Sequence, residues 1–277
     1  MKMSLALRYG IAYAAYLGAV ICLAELPSVW ARQDAALRYL PSAEGEAMRE
    51  FTVVLDAGHG GVDGGTQGLG ILEKNLSLAI TKRVEAQLAA AGIRTVMTRR
   101  DDTYISLETR SDLSNRHQAD AFISIHLNAD ANSGETAGLE TYYSSRKRLG
   151  DVTRLRARLN IPADETIRDR RSQWLAGILQ RAIQETTGVE SRGSRDSNYH
   201  VVMHSECPAV LIECGYLTND RECRRLQNEA YQEKIAVAVA SGIKQFLLAT
   251  RMNPMRGIER NPVTLAMPTN SLREGNP

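Results

Sequence analysis

The chain has 277 residues, 43% of them hydrophobic, enough to bury the core of one sizeable domain with extensions. Its 34 basic and 32 acidic side chains leave a formal charge of +2, too small an excess for a nucleic-acid-binding surface to be its main function. The four cysteines, Cys22, Cys207, Cys214 and Cys223, show no C-x-x-C spacing, so neither a zinc knuckle nor a thioredoxin-like pair is indicated.

At the N-terminus, Lys2 and Arg8 precede an uncharged stretch over residues 9–24, and Val29, Trp30 and Ala31 then offer small residues for cleavage. This is the grammar of a signal peptide over residues 1–31. The uncharged run is shorter than the ~20 residues of a membrane-spanning helix, and an uncleaved anchor is the other reading. Either way the remainder is expected outside the inner membrane, in the periplasm or cell envelope, touching membrane only through that segment if it is retained. Cys22 follows bulky Ile21, which argues against lipid modification there. Residues 32–50 are polar and mixed and read as a linker.

From 51 to 249, strands alternate with helices. Residues 51–56 form an apolar, β-branched run, a buried strand. Leu76, Ala79, Ile80, Val84, Leu88 and Ala91 recur at helical spacing within a helix over 72–91, stopped at Gly92. Residues 93–98 give a second strand, 107–118 a helix, 119–126 a third strand and 138–143 a fourth. Residues 174–187 form a helix ended by Gly188. Residues 199–203 and 209–213 read as short strands, and 231–249 as a final amphipathic helix. This alternation predicts a single α/β domain with helices on both faces of its sheet. The charged segment 147–171, interrupted by Pro162, breaks the rhythm as a surface insertion. Before Pro162, Val152, Leu155 and Leu159 recur at the spacing of a short amphipathic helix, which would lean on the cleft rim as a lid or run over the surface. Residues 250–277 lack periodicity and read as a disordered tail.

In open α/β sheets, ligands bind beyond the carboxyl ends of strands. His59 follows the first strand within "LDAGHGGVDGG", His126 ends the third in "FISIHLNAD", and Glu213 ends the last in "VLIECGYLTN". Glu73 begins the first long helix, which returns that acid close to the Gly-rich turn. Two imidazoles and one carboxylate suit Zn²⁺ with a fourth position left to water, whose pKa the metal lowers towards ~7. A further acid then serves as general base. Gly58, Gly60 and Gly61 let the backbone bend so that His59 faces the strand end. Each residue also has a bland reading: a strand-end histidine is commonly structural, and Glu73 favours the helix N-terminus. Glu213 follows the buried run 209–212, where an unpaired charge is costly.

Several neighbours are candidates for supporting roles. Asp56 is placed to orient a ligand or the loop. Arg192 and Arg195, read as preceding the fifth strand, are placed either to pair with a substrate carboxylate or to sit on the surface. His200 and His204 flank a short strand near the cleft, His117 is solvated, and Cys214 belongs to the core.

The stretches "VVLDAGHGGVDGGTQG", "LEKNLSLAITKRVEAQLAAAGIRTVMTRRDDTYISLETRSDLSNRHQADAFISIHLNA", "GLETYY", "SRGSRDSNYHVV" and "CPAVLIECGYLTN" resemble, in order, the zinc-dependent N-acetylmuramoyl-L-alanine amidases of bacterial cell walls (amidase type 3), over residues 51–249. The resemblance implies a phosphorylase/hydrolase-like α/β domain around a mixed sheet of about six strands. It implies Zn²⁺ held by His59, Glu73 and His126, with Glu213 as the catalytic acid. It implies hydrolysis of the amide between N-acetylmuramic acid and the L-alanine of the peptidoglycan stem. Some members carry an inhibitory helix, displaced by an activator protein, where residues 147–171 lie. No wall-binding module is recognisable on either side of the domain, so targeting is expected from the catalytic domain, the tail or a partner. Two alternatives stand beside this reading. A non-catalytic wall-binding or regulatory protein would be expected to lose a ligand or the acid. A zinc carboxypeptidase would carry H-x-x-E near the first strand, where this chain has His59 followed by Gly60, Gly61 and Val62.

Overall fold

The first strand of the fold, β1 (Thr52–Ala57), is buried along its whole length. A strand covered on both faces must sit inside a sheet flanked by helices, and β1 does. The structure, a computed structural model, describes residues 48, 50–145 and 167–252. The remaining elements are β2 (Gln67–Gly68), β3 (Ile71–Leu72), α1 (Glu73–Ala90), β4 (Arg94–Met97), α2 (Leu107–Arg116), β5 (Ala121–Asn128), β6 (Leu139–Tyr143), α3 (Ile167–Thr187), β7 (Ser191–Asp196), α4 (His200–His204), β8 (Ala209–Tyr216), α5 (Asp220–Gln227) and α6 (Glu229–Met252). The main sheet has six strands in the order β4-β1-β5-β8-β6-β7. All neighbouring pairs are parallel except β6 with β8, so the sheet is mixed, as expected.

The two faces of the sheet are covered unequally. Val53, Leu55, Ile123, Ile125, Val210 and Ile212 point into the larger core, which is filled from α1, α3 and α6 by side chains such as Val84, Leu179 and Phe246. The alternate residues Val54, Phe122, Ala209 and Leu211 point into a smaller cluster closed by Val201 and Val202 of α4. Side chains alternate across a strand with period two. The same parity therefore carries Asp56, Ser124, His126 and Glu213 onto the thinly covered face. Met48 belongs to the larger core, so packing reaches upstream of residue 51. α6 is the one helix among the described residues long and apolar enough to cross a membrane, but it is half buried, packed on α3 and α1 as a core helix.

Three local expectations are corrected. Residues 199–203 read as a strand, but His200–His204 is a short helix. Its adjacent Val201 and Val202 both enter the smaller core, which a strand's alternation forbids. Ser191–Asp196 forms the fifth strand of the sheet in chain order, carrying Arg192 and Arg195 within it. It has no large apolar side chain and forms because β6 offers an unpaired backbone edge. The polar helix α5 buries only Cys223 and Leu226, too few positions for a periodic signal. Within the 147–171 segment, α3 begins at Ile167 rather than at 174, so 167–171 is helical; the expected lid helix lies outside the described residues, as do the expected signal and nearly all of the linker and tail.

Phe122 is fully buried between β5 and the smaller core. Phe122→Ala is expected to lower unfolding free energy by about 3–5 kcal/mol, read from urea denaturation; a loss below about 1 kcal/mol would show that the thin face contributes little to stability.

Candidate metal centre and cleft

β1 ends at Ala57, and the next three residues make the turn that carries His59. Two buried arginines hold it. Arg99 donates to the carbonyls of Ala57 and Gly58 at 2.9 and 2.8 Å. Arg110 donates to the carbonyls of Ala57 and His59, both at 2.7 Å. Arg110 is held in turn by Asp56, at 2.7 Å, with both side chains buried. Asp56 also accepts from Thr98 and Ser124, each at 2.7 Å. Burial opposes ionisation of Asp56, but Arg110 and these hydroxyls overcome it and hold the carboxyl below its usual range. Asp56 thus orders the loop through Arg110 and hydrogen-bonds neither His59 nor His126.

The turn is shaped by close approach as well as by hydrogen bonds. His59 itself has φ 61°, the left-handed region that non-glycine residues rarely occupy. A Cβ at Gly58 would lie 2.3 Å from the His126 ring, so the imidazole packs directly on the backbone there. A Cβ at Gly65 would lie 2.5 Å from a Glu73 carboxylate oxygen. The glycines therefore supply space for the site, beyond the bend expected of them.

Glu73 opens α1 and enters the gap between the two histidines. Its Oε2 lies 3.1 Å from His59 Nε2, and its Oε1 lies 2.8 Å from His126 Nδ1. Each oxygen also accepts a backbone N–H, from Thr66 at 2.9 Å and Leu127 at 3.0 Å. One donor atom from each of His59, Glu73 and His126 lies within 4.8 Å of the others, a group able to hold a metal ion. The second ring nitrogen of His59 meets Asp63 Oδ2 at 2.8 Å, the carboxylate backing typical of a ligating histidine.

Burial disfavours a charged imidazole at both histidines, but Glu73 outweighs it. Its hydrogen bond and charge raise His59 to about 8 and shift His126 upward too. Burial likewise opposes a charged Glu73, yet the two histidines hold its pKa far below the ordinary carboxylate range. Without metal, then, the triad is a carboxylate sharing protons with two imidazoles.

Glu213 stands one strand away. The parallel register pairs it with His126, and the antiparallel register pairs it with Glu140. It is buried to 8% exposure, its Oε2 has no hydrogen-bond partner, and burial raises its pKa to about 7. The neighbouring Glu140, more deeply buried still, is saturated with partners. It accepts from Tyr142, Tyr216 and Asn128 at 2.7, 3.2 and 3.0 Å and pairs with Arg192 and Arg195 at 3.1 and 3.0 Å. Desolvation pushes Glu140 up, but Tyr142, Arg192 and the others bring it below its ordinary value.

A cleft of about 540 Å³ opens over this row, lined by His59, Glu73, His126 and Glu213 and also by Tyr104, Tyr199 and others. All four residues singled out from the sequence meet in it. His200 lines the cleft and stacks on His204 at 4.2 Å, and His117 is exposed. Cys214 is buried and its thiol is pushed strongly upward, an inert core residue. Asp63 lay unremarked in the sequence, although it sits four residues past His59 in the same Gly-rich stretch. Arg99, Arg110 and Glu140 carried no signal in spacing alone.

A mixed α/β sheet with a histidine–carboxylate triad and an unpaired acid at one edge defines a catalytic domain of the metal-assisted hydrolase class. More particularly, the chain belongs to the N-acetylmuramoyl-L-alanine amidase family, whose model matches residues 53–245. The YqiI protein of Bacillus subtilis strain 168 is 33% identical over 212 residues, covering 76% of this chain and 92% of that protein. The amidase AmiA of Escherichia coli K12 is 32% identical over 214 residues, covering 69% of this chain and 74% of AmiA. The crystal structure of an N-acetylmuramoyl-L-alanine amidase from Clostridium difficile 630 superposes with a TM-score of 0.62 at 36% identity, covering 72% of this chain and 97% of that one.

Two outcomes test the triad. Asp63→Asn is expected to weaken metal binding about 10–100-fold by freeing the His59 ring, and Gly58→Ala to weaken it further by displacing His126; titration calorimetry with Zn²⁺ reads both. Metal must also displace the proton that Glu73 stabilises on His59, so affinity should fall as pH drops below about 8. Affinity independent of pH between 6 and 8 would exclude His59 as a ligand.

Proposed function

We propose that this chain is an exported, zinc-dependent peptidoglycan amidase that cleaves the amide between N-acetylmuramic acid and L-alanine. The observation that carries the reading is the pairing of the triad with Glu213, an unpartnered buried acid one strand away. The donor set fits Zn²⁺: two imidazoles, one carboxylate, and a second carboxylate fixing the orientation of one ring. His59, Glu73 and His126 would hold the ion. Bound there, Zn²⁺ supplies Lewis acidity that polarises the scissile carbonyl and acidifies water.

The remaining work belongs to side chains of the protein. Glu213 receives the proton of the attacking water and returns it to the alanine nitrogen as the C–N bond breaks. Its location suits this exchange, because burial favours the neutral carboxyl and so offsets part of the lowering that a nearby cation would bring. Arg99 and Arg110 keep the His59 turn from moving as the site changes charge. Tyr104 and Tyr199 line the same cleft and offer aromatic surface to a substrate. Export is inferred from the signal-like residues 1–31 and from the location of the substrate.

Digestion of purified peptidoglycan, with products identified by mass spectrometry, distinguishes the alternatives. An amidase releases stem peptides with N-terminal alanine. A carboxypeptidase leaves shortened stems on muramic acid, and a binding protein releases nothing. Glu213→Gln is expected to keep zinc and fold while losing about 10²–10⁴-fold in rate. A cation at the triad lowers the Glu213 pKa from its metal-free value of about 7. The rate of the loaded enzyme should therefore rise with pH along a limb lying below 7, and that limb should vanish in the Gln variant. Near-normal hydrolysis by Glu213→Gln would remove Glu213 from the chemistry.

A further inference from the structure

Arg192 and Arg195 lie three apart on β7. In a regular strand such residues face opposite sides of the sheet. Here the register of β7 with β6 shifts between Leu139↔Ser191 and Thr141↔Ser194, an irregularity of the bulge type. Gly193, at φ 90°, takes up the extra residue. Both arginines thereby reach the same carboxylate oxygen, Glu140 Oε1. Bulges commonly re-aim a side chain beside an active site, and this one turns two cations onto the face that carries Glu213.

Hydrogen bonding does not close within this cluster. Among the described residues Glu140 is the one carboxylate in contact with the two guanidinium groups, while Glu190 and Asp130 act on Arg192 through charge at longer range. The Arg192 and Arg195 side chains are 34% and 50% exposed, whereas Glu140 is 2% exposed. Arg195 spends only Nη2, on Glu140 and the Arg192 carbonyl. Arg192 spends Nε and Nη1, the latter on Ala137. Among the described residues, Arg195 Nε and Nη1 and Arg192 Nη2 have no protein acceptor. Asn128, which lines the cleft, donates to Glu140 and joins the cluster to the cleft edge.

We propose that Arg192 and Arg195 form a carboxylate-binding subsite for the stem peptide, with Glu140 as the buried counter-ion that holds both guanidinium groups in place. The proposal rests on the amidase reading and names the part of the substrate recognised. β7 lies two strands from β8, roughly 10 Å from Glu213 at the usual strand spacing. An extended peptide advances ~3.3–3.6 Å per residue, so a carboxylate on the second or third stem residue falls at the arginines when the scissile amide lies at Glu213. Guanidinium presents a planar fork that matches a carboxylate, which a lysine does not. Arg110, which also lines the cleft, is already committed to Asp56 and to the Ala57 and His59 carbonyls.

The test uses soluble muropeptides in matched pairs, with the side or α-carboxylate of the second or third stem residue free in one member and amidated in the other. Wild-type protein should favour the free carboxylate at one of these positions by about tenfold or more in kcat/KM, the effect of a charge-assisted hydrogen bond. Arg195→Gln leaves Arg192 on Glu140, so the fold should persist, as thermal melting would show. That variant should bring the ratio between pair members close to one, and Arg195→Lys should restore it in part. A purely structural role would lower both members equally and leave the ratio unchanged. Wild type without preference at either position, or Arg195→Gln with the preference intact, overturns the subsite while leaving the amidase reading in place. Wild type that cleaves neither member overturns the amidase reading and the subsite with it.

Discussion

The site depends on how three successive carbonyls at the end of β1 are satisfied. A chain leaving a sheet loses its ladder partners, and buried carbonyls without partners are costly. Here the guanidinium groups of Arg99 and Arg110 replace those partners for Ala57, Gly58 and His59. This fixes the backbone on both sides of the His59 Cα and makes its left-handed conformation tolerable. Two adjacent buried cations raise a cost of their own. Burial and the nearness of Arg110 lower the pKa of Arg99, and Asp56 supplies the compensating charge. Replacing a buried ion pair by apolar groups is often neutral for stability. Apolar groups in place of this pair would leave Ala57 and His59 with fewer donors, so positioning the loop accounts for a charged pair in this interior.

Three buried carboxylates along the same sheet edge show how partners set chemistry. Glu73 has two imidazoles and two backbone donors and is held as the anion. Glu140 has two arginines, two phenols and an amide and is also held as the anion. Glu213 lies between them with one oxygen unpartnered, and it alone is pushed towards neutrality. The fixed anions on either side reinforce burial in raising it. One residue type thus stands in three electrostatic states because its hydrogen-bond supply differs at three neighbouring positions, and the roles proposed for them as ligand, counter-ion and proton carrier follow those states.

Much of this was legible in the sequence wherever burial and period coincide. β1, β5 and β8 are apolar runs, and polar residues just past such runs stand out against the cost of burying them. That contrast marked His59, His126 and Glu213. The alternation that sends Val54, Phe122 and Leu211 to one face also sends His126 and Glu213 there. Legibility failed where structure comes from pairing rather than burial. β7 is a polar edge strand whose ladder comes from β6, and α4 is a five-residue helix whose composition favours a strand. Arg99 and Arg110 were invisible because their targets are backbone carbonyls, which have no sequence identity.

The same distinction explains why Arg192 and Arg195 read ambiguously as surface or site residues. From sequence the two arginines stand just before a strand, where nothing directs both side chains to one target. The irregular register of β7 reverses this, and its cause lies in the chain: Gly193 accepts a φ of 90° that a side chain would resist. Once the strand is bent, both guanidinium groups converge on a carboxylate too deeply placed to release them to solvent. Glu140 in turn depends on guanidinium charge beside it, because its own register partner is Glu213 and an unneutralised anion there would repel it. The bulge, the arginine pair and the raised pKa of Glu213 are therefore one arrangement. A change at Gly193 should be felt at Glu213, two strands away, through the charge on Glu140.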